Sequence, residues 1–194
     1  FNDSTGMSNP LTSGLTMRGS LSSQLDQDYF YISVGSSGTL DLVFESTGSA
    51  AYAPYEILNP SLQVVATGEI VYGVAKSIGI GQSGNYYVRV YGDSGSDSDQ
   101  YEITATFRSQ SGVAETEFND SPGTSDPLTS GLTMYGSLIS QSDQDYFYIT
   151  TGSSGTIDIL FKGLYPYAPY APYEILNPSL QVIATGEISG TETK

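Results

Sequence analysis

The chain has 194 residues, enough for one or two domains of ordinary size. Six basic residues stand against 21 acidic ones, a formal net charge of −15. That balance excludes a nucleic-acid binder, which needs Lys and Arg at phosphates, and disfavours an anionic membrane surface.

Such acidity suits surroundings rich in divalent cations, where bound ions relieve self-repulsion. There is no Cys, no His and no Trp. Without His, imidazole catalysis and His-ligated zinc are excluded. Without disulfides, a secreted chain must rest on its core or on metals. No run approaches the roughly 18 apolar residues of a membrane span. With no signal peptide, the chain reads as a mature form or a fragment.

From the start, Asn2-Asp3 is a polar turn sequence. Asp26-Gln27-Asp28-Tyr29-Phe30 then leads into an alternating segment over 29–34, with Phe30, Ile32 and Val34 on one face. Gly35-Ser36-Ser37-Gly38 is a turn, and Leu40, Leu42 and Phe44 alternate on the next strand. Residues 55–58 and 62–67 predict a hairpin around Asn59-Pro60-Ser61. Further strands are expected over 77–80, 86–91 and 101–107. Asp93 to Asp99 reads as a solvated acidic loop, or a weak cation site. No helical period appears. The expectation is about eight strands in an antiparallel sandwich or jelly roll.

The sequence then repeats. Phe1-Asn2-Asp3-Ser4 recurs as Phe118-Asn119-Asp120-Ser121, an offset of 117. Asp26 recurs as Asp143 and Asp28 as Asp145, while Tyr55 recurs one residue later as Tyr173. A period this long is a whole domain rather than a solenoid unit. The predicted organisation is a first repeat over 1–109, a linker over 110–117 and a second repeat over 118–194. Core positions Phe30, Ile32, Leu40, Leu42 and Phe44 should match Phe147, Ile149, Ile157, Ile159 and Phe161. The proline-tyrosine run over 165–173 predicts an extended polyproline-like surface loop, or an aromatic contact surface.

The linker carries the densest chemistry. Glu115-Thr116-Glu117-Phe118-Asn119-Asp120 places four carboxylate or carboxamide side chains on alternate or adjacent positions, and Asp143 and Asp145 follow. A hard cation such as calcium takes about six to eight oxygen ligands, so two such stretches must meet to hold one. The first repeat has the matching Asn2, Asp3, Asp26 and Asp28 without a Glu-x-Glu lead-in. Both sets also have a plain structural reading, as turn caps and strand starts.

These segments resemble the bacterial pre-peptidase C-terminal domain family of secreted β-sandwich modules. The resemblance is carried by the Asn-Asp opening, residues 15–21 with central Gly19, Asp26-Gln27-Asp28-Tyr29-Phe30, Gly84-Asn85-Tyr86-Tyr87-Val88-Arg89-Val90 and Gln100-Tyr101-Glu102-Ile103-Thr104. The family includes the collagen-binding domains of clostridial collagenases, in which calcium sits between a Glu-x-Glu-x-Asn-Asp linker and a downstream acidic loop. The resemblance implies calcium at Glu115, Glu117, Asn119, Asp120, Asp143 and Asp145.

Three functions compete. One is a non-catalytic extracellular module for adhesion, substrate binding or spacing, with a protein or polysaccharide partner. Another is a filament subunit that exchanges strands with copies of itself, because the second repeat has no counterparts of residues 77–107. An enzyme is the weakest reading, as there is neither a nucleophile elbow nor a pair of opposed carboxyls. The 16 tyrosines do not single out collagen as a target, since tyrosine also fills strand faces.

Overall fold

A computed structural model gives the fold, and it describes residues 2–47, 53–70, 73–92, 99–109, 112–138, 142–162, 171–188 and 191–193. The first repeat opens with a single 3-10 turn, Thr5–Met7, and the short strand β1 (Asn9–Pro10). The strands that follow are β2 (Thr16–Leu21), β3 (Gln27–Val34), β4 (Gly38–Ser46), β5 (Ala53–Leu58), β6 (Val64–Ile70), β7 (Val74–Ile80), β8 (Gly84–Tyr91) and β9 (Asp99–Ser109). They form two sheets, ordered β1-β3-β8-β5-β6 and β2-β9-β4-β7. All pairings are antiparallel except β1 with β3.

The expected alternation sets the core. Side chains on a strand point to opposite faces in turn, so one face of each sheet turns inward. Phe30 is 1% exposed and Ile32, Leu40, Leu42 and Phe44 are also buried, while Tyr29 and Tyr31 on the opposite face are half-buried. Aromatic contacts join the sheets. Phe44 of β4 stacks on Tyr55 of β5 at 4.2 Å between centroids, and Phe30 of β3 meets Tyr101 of β9 edge-on at 6.2 Å. Gly19 lies opposite Tyr101 in the ladder, and any Cβ there would run into the tyrosine ring.

Three boundaries differ from expectation. The predicted strand over 62–67 begins at Val64, because Asn59 Oδ1 accepts from the backbone N–H of Ser61 and Gln63 and Leu62 turns left-handed at φ 61°. Asp99 belongs to β9, and the rest of the acidic loop, 93–98, lies outside the described residues. Of the proline-tyrosine run, 165–170 lie outside the described residues, and 171–173 are strand rather than polyproline.

The remaining strands are β10 (Val113–Ala114), β11 (Asp126–Pro127), β12 (Met134–Tyr135), β13 (Phe147–Tyr148), β14 (Leu160–Lys162), β15 (Ala171–Leu176), β16 (Val182–Ile188) and β17 (Thr191–Thr193). The chain divides into two compact units, Phe1–Ile149 and Thr150–Lys194. The first unit thus holds the first sandwich, the linker and the opening of the second repeat. The second unit holds two antiparallel pairs, β14 with β17 and β15 with β16.

The second repeat copies local geometry without the core. Asn177 Oδ1 accepts from Ser179 and Gln181, as Asn59 does from Ser61 and Gln63, and Phe161 stacks on Tyr173 at 4.3 Å. Yet Phe147 is 36% exposed and Ile157 48%, while Ile149, Ile159 and Phe161 are half-buried. The expected second core is therefore absent among the described residues. In the first repeat Phe30 is covered by Val88 of β8 beside it and Tyr101 of β9 across from it, and this sequence has no counterparts of those strands in the second repeat.

Candidate metal centre

The linker is ordered by pairing. Strand β10 runs parallel to β12, with Val113 N–H donating to Thr133 O at 3.0 Å and Glu115 N–H to Tyr135 O at 2.9 Å. This brings the Glu115 side chain against Gly136, where a Cβ would lie 2.6 Å from Glu115 Oε2. With the carboxylate in this position there is no room for a Cβ at Gly136. Ser137 then holds both glutamates: its N–H donates to Glu115 Oε1 and its hydroxyl to Glu117 Oε1 at 3.2 Å.

Beyond Glu117 the chain turns sharply at Phe118, which is left-handed at φ 71°. The turn buries Asn119, whose backbone carbonyl accepts from Tyr146 N–H at 3.0 Å. The first repeat makes the same junction, Tyr29 N–H to Asn2 O at 2.8 Å. Asp145, one residue before Tyr146, is thereby brought to the linker. Carboxylate oxygens of Glu115, Glu117 and Asp145 all lie within 4.8 Å of one another.

Glu115 is 8% exposed and Asn119 1%. Glu115 Oε2, Asn119 Oδ1 and Asp145 Oδ1 are buried acceptors with no hydrogen-bond donor, an arrangement that native proteins rarely leave uncompensated. Burial first, and then the Asp145 charge, push the Glu115 carboxyl far above the usual range. Burial and the Asp143 charge raise Asp145 as well, so without a cation the two carboxyls relieve each other by sharing a proton. Burial followed by the charges of Asp145 and Asp143 raises Glu117 to about 7. Three acids with raised pKa values, beside the orphaned oxygens of Glu115, Asn119 and Asp145, are residues that could receive a positive charge.

Of the six residues expected here, Glu115, Glu117 and Asp145 converge, Asn119 is buried at the same junction, Asp143 adds its charge close by, and Asp120 is exposed. Asp126 escaped the sequence reading. Its Oδ2 accepts from Thr116 N–H at 2.5 Å and lies 3.5 Å from Asn119 Nδ2, bracing the linker from below. The signal was present in the repeat itself, because Asp126 stands where the first copy has Asn9. Lys76 was also missed. From β7 its Nζ reaches Leu138 O at 3.5 Å; burial lowers its pKa, and the charges of Glu117 and Asp143 act the other way.

The first repeat arranges its four residues differently. Asn2, Asp3, Asp26 and Asp28 line one cavity of about 560 Å³ together with Gly19 and Tyr101. Asp28 Oδ2 accepts from the Tyr101 hydroxyl at 2.7 Å, and Asp26 Oδ2 from Ser22 N–H at 2.6 Å and its hydroxyl at 2.8 Å. Burial raises the Asp28 pKa, whereas the Ser22 backbone bond lowers that of Asp26. Asn2 Nδ2 donates to Tyr29 O, and Asp3 is exposed. Among the described residues, the acids of this copy do not converge as those of the second do.

Fold and site define the class: an all-β sandwich module with a buried carboxylate cluster where its linker meets a second repeat. No family model and no curated protein matches the sequence. Solved structures resemble the fold at low identity. The pre-peptidase C-terminal domain of collagenase from Bacillus anthracis aligns at 19% identity and a TM-score of 0.44, over 51% of this chain and 94% of that one. PliG, a periplasmic inhibitor of g-type lysozyme from Aeromonas hydrophila, aligns at 14% and 0.41 over 52% and 96%. The Yersinia pseudotuberculosis-derived mitogen aligns at 16% and 0.39 over 54% and 90%. No helix among the described residues is long and apolar enough to cross a membrane.

Proposed function

We propose that this chain is a non-catalytic extracellular β-sandwich repeat that binds calcium where the linker meets the second repeat, and that serves adhesion, substrate binding or spacing on a protein or polysaccharide partner. The observation that carries it is the convergence of Glu115, Glu117 and Asp145 with three buried, donor-less oxygens. Oxygens on opposite sides of a calcium ion sit about 5 Å apart, against roughly 4 Å for magnesium. Carboxylate oxygens within 4.8 Å of one another can reach one common ion of this kind. Asn119 Oδ1, the second oxygens of the carboxylates, Asp143 and water can complete the shell.

Isothermal titration of chelator-treated protein tests this reading. Calcium should bind once per chain, and Glu115→Gln should weaken it at least about tenfold. At a hundred times the dissociation constant, calcium should add roughly 2.7 kcal/mol of stability. No heat of binding and no change in melting temperature would sink the proposal.

A second reading has its own support. Leu160, Val182 and Ile183 of the second unit are exposed along with Ile157. Strands donated by another copy would cover them, which makes the chain a filament subunit. Sedimentation over a range of concentrations separates the readings, because a filament subunit associates and a simple module does not.

A further inference from the structure

Strand β7 is the edge of the four-stranded sheet, and its outer side faces the linker and the opening of the second repeat. A Cβ on Gly79 would lie 3.4 Å from Tyr135 O, and one on Gly81 would lie 3.1 Å from the Ala114 Cβ. Lys76 leaves this strand opposite Leu42, with its Nζ at Leu138 O. Leu138 directly follows Ser137, the residue that holds both Glu115 and Glu117. The other basic side chains of this unit are engaged elsewhere: Arg18 with Glu102 at 2.8 Å, Arg89 with Glu56 at 3.0 Å and Arg108 with Asp41 at 3.1 Å.

We infer that Lys76 is a tethered counter-ion for the acidic cluster, supplied by the first repeat, which holds the linker in place when no metal is bound and competes with the divalent cation for the carboxylates. The competition half of this rests on the calcium reading; the tether half does not. A lysine suits the role. Its charge is compact, its stem is flexible, and it can withdraw when a metal arrives, which a planar guanidinium locked on a carboxylate does less readily. Without metal, the ammonium offsets part of the repulsion between Glu117 and Asp143. With metal bound, the same ammonium lies within a Debye length of a doubly charged ion and repels it. The first repeat thereby sets the affinity of a site that belongs to the second.

The test compares the full chain with Lys76→Met, which keeps the apolar stem, and Lys76→Arg, which keeps the charge. Calcium affinity is measured by titration at low ionic strength after chelator treatment. Lys76→Met should bind calcium about tenfold more tightly than the parent, Lys76→Arg no more tightly than the parent, and the gain in Lys76→Met should shrink in high salt. Separately, amide hydrogen exchange at Glu115 and Ser137 is followed without metal. It should quicken in Lys76→Met and stay near the parent rate in Lys76→Arg. Equal calcium affinity in all three chains overturns the competitor role. Unchanged exchange in Lys76→Met overturns the tether. If no chain binds calcium yet Lys76→Met exchanges faster, the calcium reading falls and the tether stands.

Discussion

Asp28 and Asp145 hold the same place in the two repeats, yet their carboxylates meet different neighbours. Asp28 receives the Tyr101 hydroxyl, while Asp145 faces Glu115 and Glu117. A donor satisfies the first, and only a proton or a cation can satisfy the second. Tyr101→Phe keeps the edge-on contact with Phe30 but strands a buried carboxylate. It should lower stability by about 1 to 3 kcal/mol in urea unfolding. The cluster predicts a pH dependence of the opposite sense to ordinary acid unfolding. Glu117 is raised from 4.5 to about 7, so the folded state binds the extra proton. Its contribution is fully present below about pH 4.5 and is lost as pH rises through about 7. In chelator, the melting temperature should therefore fall between those values. Asp26, held below its ordinary pKa, contributes in the other direction, losing stability as pH falls. Calcium should reverse the cluster's trend, since it binds the deprotonated acids and displaces protons. A melting temperature in chelator that climbs steadily to pH 8 would contradict the raised pKa of Glu117.

The linker strand β10 is two residues long and gains its order from β12 and from the fit of Glu115 against Gly136. Gly136→Val puts methyl groups where the carboxylate lies. It should weaken calcium binding more than tenfold while leaving the first sandwich's unfolding transition in place. Titration and differential scanning calorimetry check the two halves. The twin hairpins, β5 with β6 and β15 with β16, show the opposite case of an element specified locally. Each is built around one asparagine and one left-handed leucine, Leu62 or Leu180, and forms with or without a sandwich around it.

The division at Ile149 places the carboxylate cluster in the same unit as the first sandwich. A chain ending at Ile149 should therefore keep both the main melting transition and calcium binding, with an affinity within about twofold of the parent. It should also lose any concentration-dependent association, because the exposed Ile157, Leu160, Val182 and Ile183 go with residues 150–194. Calorimetry and sedimentation of the two lengths decide this. A shorter chain that no longer binds calcium would show that residues 150–194 supply part of the site.

Periodicity of two along the strands, turn residues between them and an internal repeat made the all-β sandwich and the inward Phe30, Ile32, Leu40, Leu42 and Phe44 readable from residue order alone. Local rules suffice for these, because a strand's faces and a turn's residues depend on near neighbours. Spacing also picked out Glu115, Glu117 and Asp145. The match of core positions alone implies a buried Phe147 and Ile157. They stay uncovered because residues 77–107 help cover the first core, and residue order did show that the second repeat has no counterparts of them. Residue order could not separate Asp28 from Asp145, which share one motif. Tyr101 lies 73 positions from Asp28, and Glu115 lies 30 before Asp145. Lys76, Asp126 and Gly136 joined the site only once β7, β11 and β12 were folded around the linker, because electrostatic and steric partners are set by distance in space rather than along the chain.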